Sequence, residues 1–261
     1  MFSFFDSKEK KIKEILRDGK AVLLAFDHAI EHGPSSYEGI DISPERIARI
    51  ASEGEADGII VHIGVARKIK KFLKNVPLIV KITARTSLVS DENQMQEIVT
   101  SVKEAKDVGA KAVALTVYFG SERESEMLRN FSIVKQEAIK HKMPIFGFAY
   151  PRGKKLKSKY DEEAIRYAAR AGAEIGFDVV KTYYTGNKES FSKVVKDCFV
   201  PVLVAGGPKI EDEKEFLNIV KDIMSVGASG VAIGRNVWMR EDEKAIQLLK
   251  EIKKVVHSWL F

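Results

Sequence analysis

The fold is decided by the stretch Ala171-Gly172-Ala173-Glu174-Ile175-Gly176-Phe177-Asp178-Val179-Val180-Lys181. A helical segment ends in glycine, a short polar step follows, and a continuous run of apolar, β-branched residues begins. This order predicts a helix that turns back through a left-handed glycine cap into a fully buried strand. The same unit recurs three more times along the chain, and the predicted capping glycines are Gly54, Gly109, Gly172 and Gly227.

Outward from this unit, eight apolar runs alternate with amphipathic helical segments. Strands that are apolar throughout belong to a parallel sheet whose faces are both covered. Eight such strands in 261 residues predict one α/β domain over residues 1–261, a single (β/α)8 or TIM barrel, with a doubly wound open sheet as the alternative. An amphipathic segment around Ile12, Ile15 and Leu16 predicts an extra N-terminal helix that closes the N-terminal end of the barrel. The predicted strands span residues 21–27, 57–64, 78–84, 111–119, 144–150, 177–183, 201–205 and 230–234.

The composition argues against several classes of protein. Hydrophobic residues make up 45% and charged residues 31%, which is a globular balance rather than a disordered one. The net charge of +6 is spread over mixed acidic and basic helix faces, so no nucleic-acid partner is expected. The apolar run 1–5 is too short for a signal peptide or a membrane span, so no membrane association is expected. Cys198 is the only cysteine, which rules out an internal disulfide and predicts a cytoplasmic protein.

Unusual residues fall at five of the predicted strand ends. In a barrel of this type, chemistry is concentrated where strands end and loops begin, at the C-terminal face. The five segments are Asp27-His28 after the first strand, Tyr150-Pro151-Arg152-Gly153 after the fifth, Lys181 at the sixth, Gly206-Gly207-Pro208-Lys209 after the seventh and Gly234-Arg235-Asn236 after the eighth. The sequence therefore predicts that these candidate site residues lie on one face.

Lys181 is the candidate nucleophile. It ends an apolar run, where burial of an ammonium group is costly unless the group is paired. Desolvation lowers the pKa of a lysine from about 10.4 toward the range in which the free amine attacks carbonyl groups. That is the chemistry of a Schiff-base lysine. The alternative is a structural lysine whose ammonium reaches solvent or a carboxylate at the strand end.

Glycine-rich turns after the seventh and eighth strands indicate a phosphate site. In this fold the backbone N–H groups of those two turns commonly hold an anion, and Arg235 would add a bidentate contact. The segment Gly206-Gly207-Pro208-Lys209 alone would also serve as an ordinary turn. Its pairing with Gly234-Arg235 favours a phosphorylated ligand.

Together, these motifs resemble the archaeal-type class I fructose-bisphosphate aldolases. The similarity covers nearly the whole chain, and the motifs keep their order. They are Asp27-His28-Ala29-Ile30-Glu31-His32-Gly33-Pro34, Tyr150-Pro151-Arg152-Gly153, Lys181 with Tyr184-Thr185-Gly186, Ala205-Gly206-Gly207-Pro208-Lys209 and Gly234-Arg235-Asn236. The resemblance implies a barrel enzyme without metal or cofactor that acts on phosphorylated ketoses and aldehydes. It also implies a homo-oligomer built on pentameric rings, such as a decamer.

The resemblance implies a role for each site residue. Lys181 is the Schiff-base lysine, Tyr150 the proton donor and acceptor at the reacting carbons, and Asp27 the residue that orients the substrate hydroxyls. Taken alone, Tyr150 equally fits a core tyrosine at the barrel rim. To transfer protons, a tyrosine with an ordinary pKa near 10 needs a nearby cation, and Lys181 is the obvious candidate. Phe148 departs from the pattern, because several relatives have tryptophan there, and this leaves open how the far half of the substrate is held. The C1 phosphate and other substrate contacts are implied for His28, Ala205, Gly206, Gly207, Gly234 and Arg235.

Two alternatives concern other side chains. Lys81 is a rival nucleophile, an auxiliary cation that lowers the pKa of the working lysine, or a residue that faces the helices. The composition of a zinc site is present in Asp27, His28, Glu31, His32 and His62. However, Gly33-Pro34 favours a loop over a helical turn that would align His28 with His32. The expectation is therefore no metal, with these side chains in substrate contacts or loop hydrogen bonds.

Within the resemblance, three reactions compete. Cleavage of fructose 1,6-bisphosphate is favoured by the continuation Ile30-Glu31-His32-Gly33-Pro34. The other two use the same imine: synthesis of an amino-dideoxyheptulosonate on the route to aromatic compounds, and transfer of a dihydroxyacetone phosphate unit to methylglyoxal, which gives 6-deoxy-5-ketofructose 1-phosphate. Outside this class, the alternatives are a phosphate-binding barrel isomerase and a non-catalytic sugar-phosphate-binding barrel. Formation of an imine on Lys181 distinguishes the two classes.

Overall fold

A computed structural model describes residues 3–33, 37–88 and 94–259. Its strands are β1 (Ala21–Phe26), β2 (Gly58–His62), β3 (Leu78–Lys81), β4 (Thr83–Ala84), β5 (Glu97–Ile98), β6 (Ala112–Phe119), β7 (Ile145–Pro151), β8 (Val179–Thr182), β9 (Val202–Ala205) and β10 (Gly230–Ile233). Eight of them are parallel and close into a barrel in the order β1-β10-β9-β8-β7-β6-β3-β2. In this ring β9 lies across from β3, and β10 lies across from β6. The predicted TIM barrel is confirmed.

Helices connect the strands around the outside of the barrel. The described helices are α1 (Ser3–Ile15), α2 (His28–His32), α3 (Pro44–Glu53), α4 (Ile63–Ile69), α5 (Val102–Asp107), α6 (Glu124–His141), α7 (Glu162–Ile175), α8 (Lys188–Asp197), α9 (Glu213–Ser225), α10 (Arg235–Trp238) and α11 (Asp242–Ser258). Side-chain caps fix several starts; for example, Asp161 accepts a hydrogen bond from the backbone N–H of Ala164 at 2.9 Å. Among the described helices, none has the length and apolar character needed to cross a bilayer.

The third predicted strand is shorter than its sequence suggests. β3 ends at Lys81, and the chain then leaves the barrel as β4 to pair antiparallel with β5. The run 78–84 is apolar enough to predict one strand, but the amide of Val99 donates to the carbonyl of Ile82 at 2.9 Å, and this pairing takes the chain away from the barrel. The resulting hairpin places the buried Gln96 against the end of β3. The other seven predicted strands differ from the observed ones by no more than two residues at either end.

The extra N-terminal helix is confirmed. α1 ends at Ile15, and both Ile15 and Leu16 belong to the same buried cluster as Ala21 and Leu23 of β1. This cluster fills the interior of the barrel, and Ala21 is the first residue of its strand. The helix therefore closes the N-terminal end of the barrel.

Side chains alternate between the barrel interior and the helix layer along each strand. In β8, Val179 belongs to the interior cluster and Val180 to the outer one, so Lys181 faces the interior. The same alternation turns Asp27 and Lys81 inward. Three charged side chains therefore share the C-terminal layer of the interior.

Two of the four predicted glycine caps are wrong. Gly54 has a helical φ of −77°, and Gly172 lies inside α7, whose left-handed cap is Gly176. Close packing accounts for both glycines. A Cβ on Gly54 would lie 2.6 Å from Leu249 Cδ2, and one on Gly172 would lie 2.7 Å from Phe177 Cδ2. The two confirmed caps are Gly109 and Gly227, with φ of 94° and 88°.

Gly147 of β7 provides a test of this packing. A Cβ at Gly147 would lie 1.8 Å from Phe177 Cδ2, so Gly147→Ala forces the ring or the strand to move. Overpacking of a core costs about 1–3 kcal/mol, and the clash here is severe. We expect Gly147→Ala to lower the free energy of unfolding in denaturant by about 3 kcal/mol.

Gly64 in α4 is the matched control, because nothing lies within 4 Å of a Cβ built on it. Gly64→Ala should leave the free energy of unfolding unchanged or raise it by up to about 1 kcal/mol, since alanine favours the helix. Equal unfolding midpoints for the two variants would contradict the role assigned to the contact with Phe177.

Candidate active site

Lys181 lies at the centre of the site. β8 pairs it in register with Phe148 of β7, and only 3% of the residue is exposed. Its Nζ lies 4.1 Å from the centre of the Phe148 ring. Burial lowers the pKa of Lys181 from 10.5 to about 8; Asp27 opposes this shift and Lys81 adds to it. A useful fraction of the amine is therefore uncharged near neutral pH, as a nucleophile requires.

Asp27 is the carboxylate closest to this lysine layer. It follows β1, is 7% exposed, and its Oδ2 lies 4.0 Å from Lys81 Nζ. Burial alone would raise the pKa of Asp27, but the positive charges around it, with Lys181 the largest, bring the pKa well below its ordinary value. Asp27 is therefore ionised at neutral pH.

The structure resolves the orientation of Lys81, which the sequence left open. Lys81 points inward and is 1% exposed, and its Nζ donates to Gln96 Oε1 at 3.1 Å. Gln96 Nε2 in turn donates to Tyr118 OH at 3.0 Å, and Tyr118 OH donates to Glu31 Oε1 at 2.6 Å. A chain of hydrogen bonds therefore links the ends of β3 and β6 to α2.

Tyr150 projects from β7 two residues beyond Phe148. Its ring stacks on that of Tyr183, with centroids 4.3 Å apart and 10° between the planes. The Arg152 guanidinium donates to Tyr183 OH and lies 5.8 Å from the centre of the Tyr150 ring. Burial raises the pKa of Tyr150 well above 10.0, and Arg152 is the cation that opposes the rise, where the sequence favoured Lys181. Tyr150 therefore keeps its proton at neutral pH.

His28 and His32 form a stacked pair, with ring centroids 5.2 Å apart. The loop expected here is wrong, because α2 spans both residues and continues until Gly33, whose φ of 71° ends the turn. Pro34, which favoured a loop, lies outside the described residues. Burial lowers the pKa of His28 to about 4, although Asp27 acts in the opposite direction. In the described part of the chain, no group of three or more His, Cys, Asp or Glu side chains is placed to hold a metal ion.

The two glycine-rich turns lie side by side at the C-terminal end of the barrel. β9 and β10 are neighbours, with Ala205 paired to Ala232, so the chain segments that begin at Gly206 and Gly234 leave the barrel next to each other. At Gly234 there is room only for hydrogen, because a Cβ would lie 2.6 Å from the carbonyl oxygen of Ala25. The expected convergence of the two turns is therefore present.

Asn236 ties the two turns together. It is fully buried, and its Nδ2 donates to the carbonyls of Gly206 at 2.7 Å and Pro208 at 2.9 Å. Its Oδ1 accepts the amide of Ile210 at 2.8 Å. Both N–H groups and the oxygen of this amide hold the loop that contains Gly207, so the backbone of that loop is preorganised.

Arg235 follows Gly234 and begins α10. Its Nε is buried without a hydrogen-bond partner among the described residues. Its charge lowers the pKa of both His28 and His32, after burial as the main cause, which places the guanidinium near the histidine pair. A buried cationic donor without a partner, beside two glycine turns, suits an anionic ligand.

A cavity of about 690 Å³ opens on the other side of the site. Its walls come from segments that follow β1, β3, β6 and β7, whereas the glycine turns follow β9 and β10. The basic residues that line it are Arg85, Arg152, Lys157 and Lys159, and Glu31 is the acidic residue among the described lining. The cavity therefore carries a net positive charge.

Sequence reasoning missed several of these roles. Arg152 and Asn236 stood in the quoted strand-end motifs, but neither was given a function. Tyr118 lies inside an apolar run, and only the phase of its strand shows that it faces inward. Gln96 enters from a hairpin outside the repeating unit, and no local pattern marks it. A search for polar residues at inward strand positions would have found Tyr118, but not Gln96.

Comparison with known proteins agrees with this geometry. The family model described as DeoC/LacD family aldolase matches residues 21–240. A class 1 fructose-bisphosphate aldolase from Thermoproteus tenax is 38% identical over 253 residues, which cover 96% of this chain and 94% of that protein. Another from Halobacterium salinarum is 36% identical and covers 94% of this chain and 93% of that protein. The chain belongs to the DeoC/LacD aldolase family.

A solved structure narrows the comparison further. It is that of an archaeal fructose-1,6-bisphosphate aldolase with its catalytic Lys covalently bound to the carbinolamine intermediate of the substrate. The two chains share 36% identity and superpose with a TM-score of 0.88, over 96% of this chain and 99% of that one. The resemblance to archaeal class I aldolases that the sequence motifs indicated is confirmed.

Asn236 offers a test of how the glycine turns are held. In Asn236→Asp the nitrogen that donates to the carbonyls of Gly206 and Pro208 becomes a carboxylate oxygen, which repels them. Leaving a buried polar group unpaired costs about 1–3 kcal/mol, so we expect the free energy of unfolding to fall by about 2–4 kcal/mol. We also expect inorganic phosphate to raise the melting temperature of the wild type, and this rise should be lost in Asn236→Asp. The same substitution at Asn218, which is exposed on α9, should change neither quantity. A phosphate response that persists in Asn236→Asp would contradict this role.

Proposed function

We propose that this protein is a class I aldolase that cleaves and forms fructose 1,6-bisphosphate through an imine on Lys181. The observation that carries the proposal is the buried Lys181 amine, whose pKa is lowered to about 8 and which stands beside the ionised Asp27. The two curated relatives are class 1 fructose-bisphosphate aldolases, which supports the same reaction here.

The reaction begins when Lys181 Nζ adds to the C2 carbonyl of the open-chain ketose. The C2 oxygen takes a proton and leaves as water, so the carbinolamine becomes a protonated imine. The imine nitrogen then accepts the electron pair of the C3–C4 bond as that bond breaks. Glyceraldehyde 3-phosphate leaves, and an enamine stays on Lys181. Protonation at C3 and hydrolysis of the imine release dihydroxyacetone phosphate and restore the lysine.

Tyr150 moves the protons, and Asp27 orients the substrate hydroxyls. Tyr150 keeps its proton in the free enzyme because burial raises its pKa, so it suits the step in which the carbinolamine oxygen is protonated. The Tyr150 phenolate that this step leaves takes the proton that the C4 hydroxyl loses as the C3–C4 bond breaks. Asp27 is ionised and accepts hydrogen bonds from the substrate hydroxyls. His28, with its pKa lowered to about 4, stays neutral beside Asp27 and serves as a substrate contact.

The two phosphates of the substrate match two regions on opposite sides of Lys181. The C1 phosphate, next to the reacting C2, is assigned to the backbone turns and the Arg235 guanidinium. The residues of this first region are Ala205, Gly206, Gly207, Gly234 and Arg235. The C6 phosphate is assigned to the basic cavity, where Arg152 is held in place by hydrogen bonds to Tyr183 OH and, at 2.8 Å, to the carbonyl of Pro151.

The basic cavity also bears on the choice among the related reactions. A positively charged region favours an aldehyde that carries a phosphate over methylglyoxal, which carries none. This observation favours fructose 1,6-bisphosphate over the reaction with methylglyoxal. The ring-shaped homo-oligomer and the cytoplasmic location implied by the sequence stay predictions.

Trapping of the imine tests the nucleophile directly. We expect reduction with borohydride in the presence of dihydroxyacetone phosphate to add the reduced adduct to the peptide that contains Lys181, because burial lowers the pKa of its amine to about 8. Mass spectrometry of the digested protein locates the adduct. An adduct on Lys81 would contradict the assignment, and no adduct on any lysine would favour a sugar-phosphate-binding barrel.

Two arginine variants test the two phosphate regions against each other. Arg235→Ala should lower kcat/KM about ten- to a hundredfold for both fructose 1,6-bisphosphate and fructose 1-phosphate, since both carry the C1 phosphate and a charge-assisted contact contributes roughly 1.5–3 kcal/mol. Arg152→Ala should lower kcat/KM for both substrates through its effect on Tyr150, with a further loss of about ten- to a hundredfold for the bisphosphate. Fructose 1-phosphate thus measures the damage that is unrelated to the C6 phosphate. Equal losses on the two substrates in Arg152→Ala would refute its assignment to the C6 phosphate.

A further inference from the structure

Lys81 has no role in the mechanism given above, although it is as deeply buried as the nucleophile. Its exposure is 1%, and its Nζ has two polar neighbours, Gln96 Oε1 at 3.1 Å and Asp27 Oδ2 at 4.0 Å. A buried ammonium is costly unless it is paired and hydrogen-bonded, and here both conditions are met. A structure that maintains such a group at the centre of its site uses the charge.

Lys81 and Lys181 lie close to the same aromatic ring. Lys81 Nζ is 4.9 Å and Lys181 Nζ 4.1 Å from the centre of the Phe148 ring. The two lysines differ in their hydrogen bonds. Gln96 fixes the ammonium of Lys81, whereas no described residue accepts a hydrogen bond from Lys181 Nζ. Lys181 Nζ is therefore available to bond to a substrate, whereas Lys81 Nζ is already held by Gln96.

The orientation of Gln96 is itself fixed. Its Oε1 accepts from Lys81 Nζ and, at 3.1 Å, from Thr83 Oγ1, while its Nε2 donates to Tyr118 OH. Tyr118 OH donates a hydrogen bond to the Glu31 carboxylate. Reversal of the Gln96 amide would place a donor against the ammonium, so the chain of hydrogen bonds allows one arrangement only.

We propose that Lys81 is a positioning residue: its ammonium, fixed by Gln96, increases the fraction of Lys181 that is uncharged for attack on the ketose, without bonding to the substrate itself. This inference rests on the proposed function, because it needs Lys181 to be the nucleophile. The proposal gives a function to the second inward lysine, Lys81 at the end of β3. It also gives one to the β4–β5 hairpin, which brings Gln96 to that lysine.

The charged and titratable groups that act on Lys181 come from three elements. Asp27 after β1 and Glu31 of α2 favour its charged form, Lys81 of β3 disfavours it, and burial adds to the effect of Lys81. His28 of α2 also interacts with Lys181, and the pKa of His28 is lowered to about 4, so it is neutral in the range that matters. Burial is the largest influence on the pKa of Lys181 and stays in place when the Lys81 charge is removed, but the two carboxylates then lose the cation that opposes them. The pKa of Lys181 must then rise, and less of its amine is uncharged at a given pH.

The pH dependence of kcat/KM tests the proposal, because it reports ionisations of the free enzyme and unbound substrate. The substrate contribution is the same for every variant. In the wild type we expect activity to rise with pH through a midpoint near 8, the pKa of Lys181. In Lys81→Met, which keeps the length of the side chain and removes its charge, the midpoint should move up by about one pH unit. The loss should be largest at low pH and should shrink above the new midpoint.

Two further variants separate charge from packing. Lys81→Arg keeps the positive charge, so its midpoint should stay near that of the wild type even where kcat falls. Gln96→Glu leaves Lys81 in place but sets a carboxylate against its ammonium. That counter-charge should raise the midpoint in the same direction as Lys81→Met. The second variant keeps the test intact if Lys81→Met does not fold.

The outcomes distinguish this inference from the proposed function. Borohydride trapping with dihydroxyacetone phosphate should label Lys181 in the wild type and in each folded variant. Label on Lys181 together with unshifted midpoints in both Lys81→Met and Gln96→Glu would overturn the inference and leave the function standing. An equal shift in Lys81→Arg would show that packing rather than charge is responsible. Absence of label in the wild type would overturn the function itself.

Discussion

The site depends on one electrostatic arrangement, in which two buried ammonium groups share a nearby carboxylate. Lys81 and Lys181 are both buried and both face the barrel interior. Asp27 interacts with both ammonium groups, and each of them lowers its pKa. Burial lowers the pKa of both lysines, while Asp27 and Glu31 act in the opposite direction on both. Gln96 makes the two lysines different, because it accepts a hydrogen bond from Lys81, whereas no described residue accepts one from Lys181 Nζ.

The closed barrel makes this arrangement possible. β1, β3 and β8 are distant in the chain, yet their last inward positions meet in one layer because the ring of strands closes. The same closure separates the two anion regions. The glycine turns follow β9 and β10, and the basic cavity lies toward β3 and β6 across the ring. We therefore propose that a ketose with a phosphate at each end reaches both regions while its C2 carbonyl lies at Lys181.

The sequence correctly predicted those features of the fold that depend on a local pattern of residues. Eight apolar runs, the N-terminal amphipathic helix and the strand-end motifs around Lys181 and Gly234 follow from periodicity and from residue type. The errors have physical reasons. The segment 78–84 looks like one strand, yet the chain bends at Ile82 to pair with a later segment. At Gly54 close packing, rather than a left-handed turn, requires glycine. His28 and His32 share a helical turn that Gly33 ends rather than prevents.

The sequence by itself determined the fold class and the family, and it predicted Lys181 as the nucleophile, because each depends on patterns within short segments or on motifs in a fixed order. Tertiary structure alone decided which way Lys81 faces, which cation acts on Tyr150 and how the glycine turns are held. Those answers depend on the distances from Gln96, Arg152 and Asn236 to their partners. Along the chain, Arg152 is 31 residues from Tyr183 and Asn236 is 30 residues from Gly206. Electrostatic and hydrogen-bond energies depend on such distances to within an ångström, and no local pattern in a chain records them.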